Sequence, residues 1–307
     1  MKCLSLSYCI KLYINLKNGS IFVKKNYKIC SKVIQLEAPC FPCDYKACEQ
    51  FEISNCQPDI TIDCVIGDSL PAHSGKFVSR AGDTYVYADD EYIYRASQMG
   101  TSDGALTVYK QSDTSRSTTY FTKKSCNVMM DSDYIWNSVS IAQLMLPFKT
   151  VFIHSSYIDY SDKAILFSAP SGTGKSTQAA LWKKNENADI INGDKAGISL
   201  VDGVVCACGV PFSGTSGICK NRIIPLGAIV LLYQSGHNIV RKLTGIEALQ
   251  AVMKNIHLDL IAPQEQQLCI DMLIEILSAV PVYEFGCTPD ASAVRVLKET
   301  LLNGGVF

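Results

Sequence analysis

Residues 164–184 read Ala164-Ile165-Leu166-Phe167-Ser168-Ala169-Pro170-Ser171-Gly172-Thr173-Gly174-Lys175-Ser176-Thr177-Gln178-Ala179-Ala180-Leu181-Trp182-Lys183-Lys184. The first four residues are apolar and predict a buried strand, a turn of small residues follows, and the last seven have helical composition. A strand, a glycine-rich turn, a Lys-Ser pair and a helix, in this order, are typical of a phosphate-binding loop. The stretch therefore predicts an α/β fold with a nucleotide site at the start of a helix.

Each part of the turn at residues 169–177 has a chemical task. Glycines let the backbone bring its amides close to phosphate oxygens, and the start of a helix adds a positive dipole end. Lys175 is placed for the outer phosphates, and the Ser176 hydroxyl is placed to bind Mg²⁺. Ala169 stands where the pattern usually has its first glycine and is the smallest replacement. The predicted nucleotide-binding residues are Ser171, Gly172, Thr173, Gly174, Lys175, Ser176 and Thr177. The alternative is a Gly/Ser-rich turn that happens to precede a lysine.

The composition bounds the class of protein and its partners. With 307 residues, 48% hydrophobic and 19% charged, the chain has the makeup of a globular protein of one large or two ordinary domains. Its net charge of −1 gives no basic field to attract nucleic acid, so we expect no such partner. No window approaches a run of about 18 apolar residues, and the first residues lack the apolar core of a signal peptide. We therefore expect no membrane partner and a cytoplasmic location.

The chain has 14 cysteines, which we expect to stay reduced because a signal peptide is not recognised. Cys40 and Cys43 form a C-x-x-C motif, with Cys48 and Cys56 nearby, and such a set could hold zinc or an iron–sulfur cluster. The spacing to Cys48 and Cys56 fits no familiar framework. An ordinary loop that contains a proline is the alternative.

The pattern changes near residue 147 and predicts two regions. Residues 1–147 contain short strands rich in aromatic and β-branched residues, which predicts a β-rich, mostly antiparallel region. We expect its tyrosines to be half-buried residues of the sheet. The alternative is that they form a face that binds an acceptor peptide. Residues 148–307 contain buried strands, a hairpin at Asp202-Gly203 and a helical last third. The sequence leaves open whether the chain forms a homo-oligomer.

Three further segments offer side chains for chemistry near a bound nucleotide. Asp194 follows an apolar strand and could bind Mg²⁺ or accept a proton, although an aspartate in a plain turn is the alternative. His154 ends the strand that precedes residues 164–167 and could act as a catalyst or as a structural histidine. Residues 210–217 form a second loop of small residues, followed by Lys220 and Arg222. This loop could cover the phosphates or bind a peptide, with a guanidinium that stabilises transferred charge, or it could be a surface connection.

The segment from His154 to Ser176, together with Gly193-Asp194-Lys195-Ala196, resembles the C-terminal domain of the HPr kinase/phosphorylase family. That domain shares its P-loop architecture with phosphoenolpyruvate carboxykinase, whose Ser-Gly-Thr-Gly-Lys core is present here at residues 171–175. In the bacterial kinase a histidine precedes the loop lysine by a fixed interval. His154 stands at the same interval, 21 residues before Lys175.

The resemblance covers about residues 150–302 and implies a P-loop domain with a mixed sheet and C-terminal helices. The Ala-Asp-Asp-Ala element of the family falls on residues 193–196, so Asp194 takes the first acidic position and Lys195 replaces the second. The family has relatives in bacterial gene clusters that phosphorylate serine in small peptides. The resemblance thus implies a kinase activity for this chain.

These observations together predict an ATP-dependent kinase that phosphorylates a serine hydroxyl on a small protein or peptide. The predicted catalytic residues are Asp194, His154, Lys175 and Arg222, with Mg²⁺ bound by Ser176 and Asp194. Its predicted partners are a nucleoside triphosphate and a serine-bearing acceptor. The alternative is a nucleotide-dependent binding or maturation partner that transfers nothing. Decarboxylation chemistry is disfavoured, because its other ligands have no match in this chain.

Overall fold

The computed structural model describes residues 23–38, 46–99, 102–125, 132–257 and 262–307. The chain divides into two compact units, one from Met1–Pro147 with Asp259–Gln266 and the other from Phe148–Leu258 with Gln267–Phe307. Each unit is built on a mixed β-sheet with helices, so the fold is mixed α/β. The sequence also predicts strands at residues 12–14 and 20–23; the first strand, residues 20–22 of the second, and Cys40 and Cys43 lie outside the described residues.

The first unit contains a nine-stranded sheet in the order β3-β1-β2-β4-β9-β8-β7-β6-β5. Of the eight pairings between its described strands, six are antiparallel, while β2–β4 and β4–β9 are parallel. The strands are β1 (Val23–Ile29), β2 (Lys32–Ala38), β3 (Glu52–Ile53), β4 (Ile60–Gly67), β5 (Lys76–Ala81), β6 (Thr84–Ala88), β7 (Tyr92–Met99), β8 (Ser102–Lys110) and β9 (Arg116–Thr122).

The described residues of this unit also form three short helices: α1 (Lys46–Glu49), α2 (Ser132–Ser138) and α3 (Ile141–Met145). The sequence predicts a short helix over residues 138–147 that ends at Pro147, and the structure has a shorter helix within this span, α3 over Ile141–Met145. Ser140 adopts a left-handed φ of 58°, which no α-helix continues through, so it separates α2 from α3. Pro147 lies in the 3₁₀ turn Leu146–Phe148 that follows.

The second unit contains an eight-stranded sheet. Its strands are β10 (Thr150–Tyr160), β11 (Lys163–Ser168), β12 (Asp189–Asn192), β13 (Lys195–Val201), β14 (Val204–Cys208), β15 (Ile223–Gln234), β16 (Ile239–Leu243) and β17 (Val282–Cys287). Its helices are α4 (Lys175–Glu186), α5 (Gly245–Met253), most of α6 (Pro263–Ala279) and α7 (Ala291–Asn303). Residues Ile158, Phe167, Trp182, Phe285 and Leu297 are members of one buried apolar cluster that joins β10, β11 and β17 to α4 and α7.

The long strand β10 has partners along both of its edges. Its first half, Thr150 to His154, pairs with β13. Its second half, Ser155 to Tyr160, pairs with β11, and within that half Tyr157 to Asp159 also pair with β12, on the opposite edge from β11. The pairings β11–β10–β13–β14–β15 return to β11 and so close a ring of five strands. Because the β11 pairing begins at Ser155, His154 lies beside the end of β11, where the predicted phosphate loop begins.

Three strands of this sheet, β11, β15 and β17, run parallel as neighbours. Their carboxyl ends therefore share one edge of the sheet, which is where α/β proteins commonly bind ligands. The loop at residues 169–177 follows β11 at this edge, Ser235 follows β15 and Thr288 follows β17. The fold thus places the ends of β15 and β17 at the same sheet edge as the loop.

Of the four clustered cysteines, Cys48 and Cys56 lie within the described residues. Cys48 is buried and accepts a hydrogen bond from Trp136 Nε1 at 3.4 Å, whereas Cys56 is exposed. Over the described ranges, no cluster of three or more His, Cys, Asp or Glu side chains has the arrangement of a metal site. Within the same ranges, no helix has the length and apolar character needed to cross a bilayer.

Candidate functional site

The loop at residues 169–177 leads from β11 directly into α4. Gly172 and Gly174 have φ angles of 78° and 119°, values that side chains disfavour, and a Cβ added to either would contact nothing within 4 Å. The Thr173 amide is used inside the loop, where it donates to the Pro170 carbonyl at 3.3 Å. The first amides of α4 have no intrahelical acceptors, as at every helix start. The loop is thus open above its glycines and presents helix-start amides on the same side as the positive end of the helix dipole.

Lys175 is the first residue of α4, and its ammonium folds back over the loop. Its Nζ donates to the Ala169 carbonyl at 2.9 Å and to the Pro170 carbonyl at 3.4 Å. The side chain is buried, and this burial lowers the pKa of Lys175, while the nearby carboxylate of Asp194 opposes the shift. An ammonium held this way is positioned to exchange a carbonyl for a phosphate oxygen.

The β10–β11 hairpin explains why His154 precedes Lys175 by 21 residues. Its register pairs Ser155 with Ser168, so His154 lies beside the residue that opens the loop. The Ser168 hydroxyl also donates to the His154 carbonyl at 2.7 Å. The interval in the sequence is therefore the length of one hairpin plus the loop, and it brings the imidazole to the loop.

Asp194 reaches the same place from the other side of β10. Its carbonyl accepts from the Ser155 amide at 2.9 Å, and its Oδ1 lies 3.4 Å from His154 Nε2. Asn192 fixes the turn that carries it, because Asn192 Oδ1 accepts from the amides of Asp194 and Lys195 at 2.9 and 3.0 Å. The Asn192 side-chain nitrogen in turn donates to the carbonyls of Val210 and Phe212. One buried amide thus joins the Asp194 turn to the second small-residue loop.

The electrostatics of this cluster keep His154 neutral near neutral pH. Burial lowers the pKa of His154, and the ammonium groups of Lys175 and Lys195 lower it further, while Asp194 acts in the opposite direction. His257 lies on the neighbouring segment, where its amide donates to the Phe152 carbonyl at 2.7 Å. Burial lowers the pKa of His257 to about 3, with Lys195 and His154 contributing in the same direction. Both imidazoles are therefore uncharged proton acceptors at pH 7.

The second loop, residues 210–217, lies against the Asp194 carboxylate. Gly214 has a φ of 54°, and a Cβ there would stand 2.8 Å from Asp194 Cγ. Phe212 is buried, and the Lys195 ammonium lies 5.1 Å from its ring centre, within cation–π range. The loop therefore forms one side of the Asp194 position.

The structure places Arg222 away from the loop. Its guanidinium pairs with Asp159 at 3.2 Å, on the half of β10 that leads away from His154. Five residues of strand separate Asp159 from His154, which is about 17 Å at about 3.3 Å per residue. Lys220 likewise forms an ion pair with Asp189. Of the four predicted catalytic residues, the structure brings His154, Lys175 and Asp194 together, and Arg222 is not among them.

The sequence did not predict a role for four residues of this site. Asn192 and Gly214 act through contacts that join segments far apart in the sequence, and no local pattern signals them. Lys195 was noted only as a replacement, yet its side chain is buried within the cluster. His257 is an isolated histidine in the sequence, and only the packing of its segment against β10 brings it here.

Comparison with known proteins adds little to this geometry. No protein-family model matches the chain, and no curated protein matches it. Among solved structures, the Hpr(Ser) kinase/phosphatase from Coxiella burnetii is similar over 50% of this chain and 89% of its own, with 11% identity and a TM-score of 0.29. A TM-score this low does not establish a common fold or activity.

Proposed function

We propose that the protein is an ATP-dependent kinase that transfers the γ-phosphoryl group to a serine hydroxyl of a peptide or small protein. The observation that carries the proposal is the convergence of His154, Asp194 and Lys175 at the start of α4, beside an open glycine loop. A loop of this geometry suits phosphate oxygens, and a carboxylate–imidazole pair beside it suits a hydroxyl that has to lose a proton.

The residues that hold the nucleotide are those of the loop. Backbone amides from Ser171 to Thr177 surround the phosphates, and Gly172 and Gly174 allow the close approach. The Lys175 ammonium neutralises charge on the outer phosphates. Ser171, Gly172 and Ser176 are accessible or partly so, as binding requires, whereas Lys175 is already buried in position.

The donor atoms of the site fit Mg²⁺. Ser176 offers a hydroxyl and Asp194 a carboxylate, both hard oxygen ligands of the kind that Mg²⁺ prefers, and phosphate oxygens and water supply the rest in such sites. Softer ligands are unsuited to this role, and no thiol belongs to the cluster described above. When bound, Mg²⁺ would neutralise charge that develops on the transferred phosphoryl group.

Proton removal from the acceptor falls to Asp194 or His154, which lie 3.4 Å apart. A neutral imidazole can accept the serine proton, and the carboxylate beside it stabilises the cation that forms. Lys175 holds the phosphoryl group in line with the incoming oxygen. Positioning and charge neutralisation supply most of the rate in phosphoryl transfer.

The test is phosphoryl transfer from labelled ATP to serine-bearing peptides, with phosphoserine as the readout. Asp194→Asn keeps the shape of the side chain and removes its charge, so transfer should fall by about 10²–10⁴-fold while nucleotide binding persists. Asp202→Asn, in the exposed β13–β14 turn, is the matched control and should transfer as the wild type does. Wild-type transfer by Asp194→Asn would contradict the kinase assignment.

A binding partner that senses ATP but transfers nothing is the second candidate. It is favoured by Lys195, a buried ammonium directly after Asp194, where a second carboxylate would serve metal binding. Under this alternative, Mg·ATP binds and Lys175→Ala abolishes binding, yet no acceptor gains phosphate. The peptide then binds more tightly when ATP is present.

A further inference from the structure

A cavity of about 840 Å³ lies in the second unit, at the sheet edge opposite to the phosphate loop. Its floor includes the first residues of the parallel strands β11 and β17, Lys163 and Val282. Its walls are the turn from β16 into α5, the end of α6, and residues 304–306. This volume falls in the range of small-molecule sites, about 300–1,000 Å³.

The charges among the described lining residues of the cavity have one sign. Two of these residues are lysines, Lys163 and Lys242, and none of them is an aspartate or glutamate. Among the ion pairs that the described residues form, neither of these lysines takes part. They stand on β11 and β16, with β15 and β17 between them, so they approach the cavity from different sides. A cavity with two such cations attracts an anion.

The turn at one wall presents backbone donors to the cavity, and the carboxylate in the first turn of α5, Glu247, is paired with Arg241. Thr244, Gly245 and Ile246 line the cavity and form the start of α5, a helix of nine residues. The Thr244 side chain makes no capping hydrogen bond, so the helix-start amides are not satisfied by a cap. Lys242 is two residues before this turn, so a lysine and a helix start act on the same part of the cavity.

The remaining lining is apolar and includes side chains that water still reaches. Ile246 is 68% exposed and Ile274 is 52% exposed, although both line the cavity. Leu249 and Leu277 line it as well. Covering exposed aliphatic surface is favourable by about 25 cal/mol per Å². A ligand with a hydrocarbon part would therefore gain from this wall, and an inorganic anion would not.

We propose that this cavity binds an amphipathic organic anion, with its acid group beside Lys242 and the first turn of α5 and its hydrocarbon part over Ile246 and Ile274. The cationic groups select an anion over a neutral amphiphile, and the isoleucines select an amphiphile over a small anion. The site is separate from the phosphate loop and does not depend on the kinase proposal.

Titration calorimetry on the full chain tests this with three probes: decanoate below its micelle concentration, decanol, and inorganic phosphate. Decanoate should bind at least about tenfold more tightly than either of the others, a difference of about 1.4 kcal/mol. Lys242→Glu should weaken decanoate binding at least about tenfold, because it reverses the charge beside the acid group. Lys184→Glu, on the exposed side of α4, is the matched control and should bind as the wild type does.

Three outcomes would overturn the proposal. Equal affinities for decanol and decanoate would show that the lysines do not favour a carboxylate over a hydroxyl group. Binding of phosphate as tight as that of decanoate would show an anion site with no use for its apolar wall. A chain that self-associates, becomes monomeric with Ile246→Glu and does not bind decanoate would show that a second copy covers this surface.

Discussion

At the scale of single residues, Gly214 shows how a residue without a side chain can decide the position of a reactive one. Its Cα stands so close to Asp194 that an added Cβ would lie 2.8 Å from Asp194 Cγ. Contacts under about 3 Å between carbon atoms are strongly repulsive, so either the loop or the carboxylate has to move. The carboxylate–imidazole pair with His154 therefore depends on a glycine in another segment.

We expect Gly214→Ala to lower phosphoryl transfer by about 10–100-fold while nucleotide binding changes little, because displacement of a catalytic group by about 1 Å is costly. Gly217→Ala is the matched control. Gly217 belongs to the same loop and has a φ of 64°, but nothing lies within 4 Å of the added Cβ. An alanine at position 217 therefore has the backbone strain of a positive φ but makes no close contact. Equal losses in the two variants would attribute the effect to strain alone.

His257 gives a second prediction at this scale, about stability and pH. Burial lowers its pKa to about 3 in the folded chain, against about 6.5 when unfolded. Between these values the unfolded chain binds more protons, so the free energy of unfolding falls as the pH falls from about 6.5 to 3. The contribution is fully present above pH 6.5, and each unit below can remove up to about 1.4 kcal/mol.

Urea denaturation at pH 7, 6, 5 and 4 measures this dependence. The wild type should lose stability more steeply over this range than His257→Gln, which has no proton to gain. His237→Gln, in the exposed turn after β15, is the control and should follow the wild type. If the free energy of unfolding falls equally with pH in the wild type and in His257→Gln, the assignment of a neutral buried imidazole is contradicted.

At the scale of elements, the first turn of α6 is held by a buried ionic network within the first unit. Glu265 accepts from Arg95 Nη1 at 3.2 Å, from the Tyr109 hydroxyl, and from the Ala262 amide at 3.3 Å. Arg95 and Glu265 are both nearly inaccessible to water. Burial raises the pKa of Tyr109 well above its usual value, so its hydroxyl stays protonated as a donor.

We expect Glu265→Ala to lower the free energy of unfolding of this part by about 3–5 kcal/mol, because it leaves the Arg95 charge buried without its carboxylate. Glu275→Ala, on the same helix, removes an exposed pair with Lys149 and should cost less than about 1 kcal/mol. Chemical denaturation of both variants gives the comparison. Similar costs for the two would mean that the buried network contributes no more than a surface pair.

The elements also show what the sequence could predict. The Asp202-Gly203 turn was predictable because a two-residue hairpin turn of this type requires left-handed φ at both positions, which Asp and Gly tolerate. The two residues have φ of 49° and 81°. The strand–loop–helix at residues 164–184 is equally local, as is the cap of α7, where Asp290 accepts from the Ser292 amide. The left-handed φ of 58° at Ser140 was not predictable, because serine does not favour this conformation by itself. Interactions between residues close in the sequence determine such elements, whereas contacts between distant segments determine the features that local sequence does not predict.

The candidate site divides in the same way. The loop residues follow from their own sequence, and the hairpin length accounts for His154. Asn192, Gly214 and His257 depend on contacts between segments more than 15 residues apart along the chain, which no pattern in one sequence reveals. Arg222 has a side chain suited to phosphate, but it lies just before β15 and pairs with Asp159, towards the far end of β10 from His154.

At the scale of the whole molecule, the second unit contains two distinct features on opposite edges of one sheet. The carboxyl edge of β11, β15 and β17 holds the phosphate loop, and the amino edge holds the cationic cavity. The first unit offers a large sheet, and an acceptor surface there stays a prediction. Both candidate functions, the kinase and the ATP-dependent binding partner, depend on the phosphate loop, so that loop is the part to test first.

Titration calorimetry with Mg·ATP on the full, folded chain is the most direct test of the central claim. The account predicts one site per chain, binding weakened at least about tenfold by Lys175→Met, and unchanged binding in Lys184→Met, which removes an exposed lysine of the same helix. A folded wild type that releases no heat and shows no affinity for Mg·ATP would contradict the account, as would equal affinity in Lys175→Met.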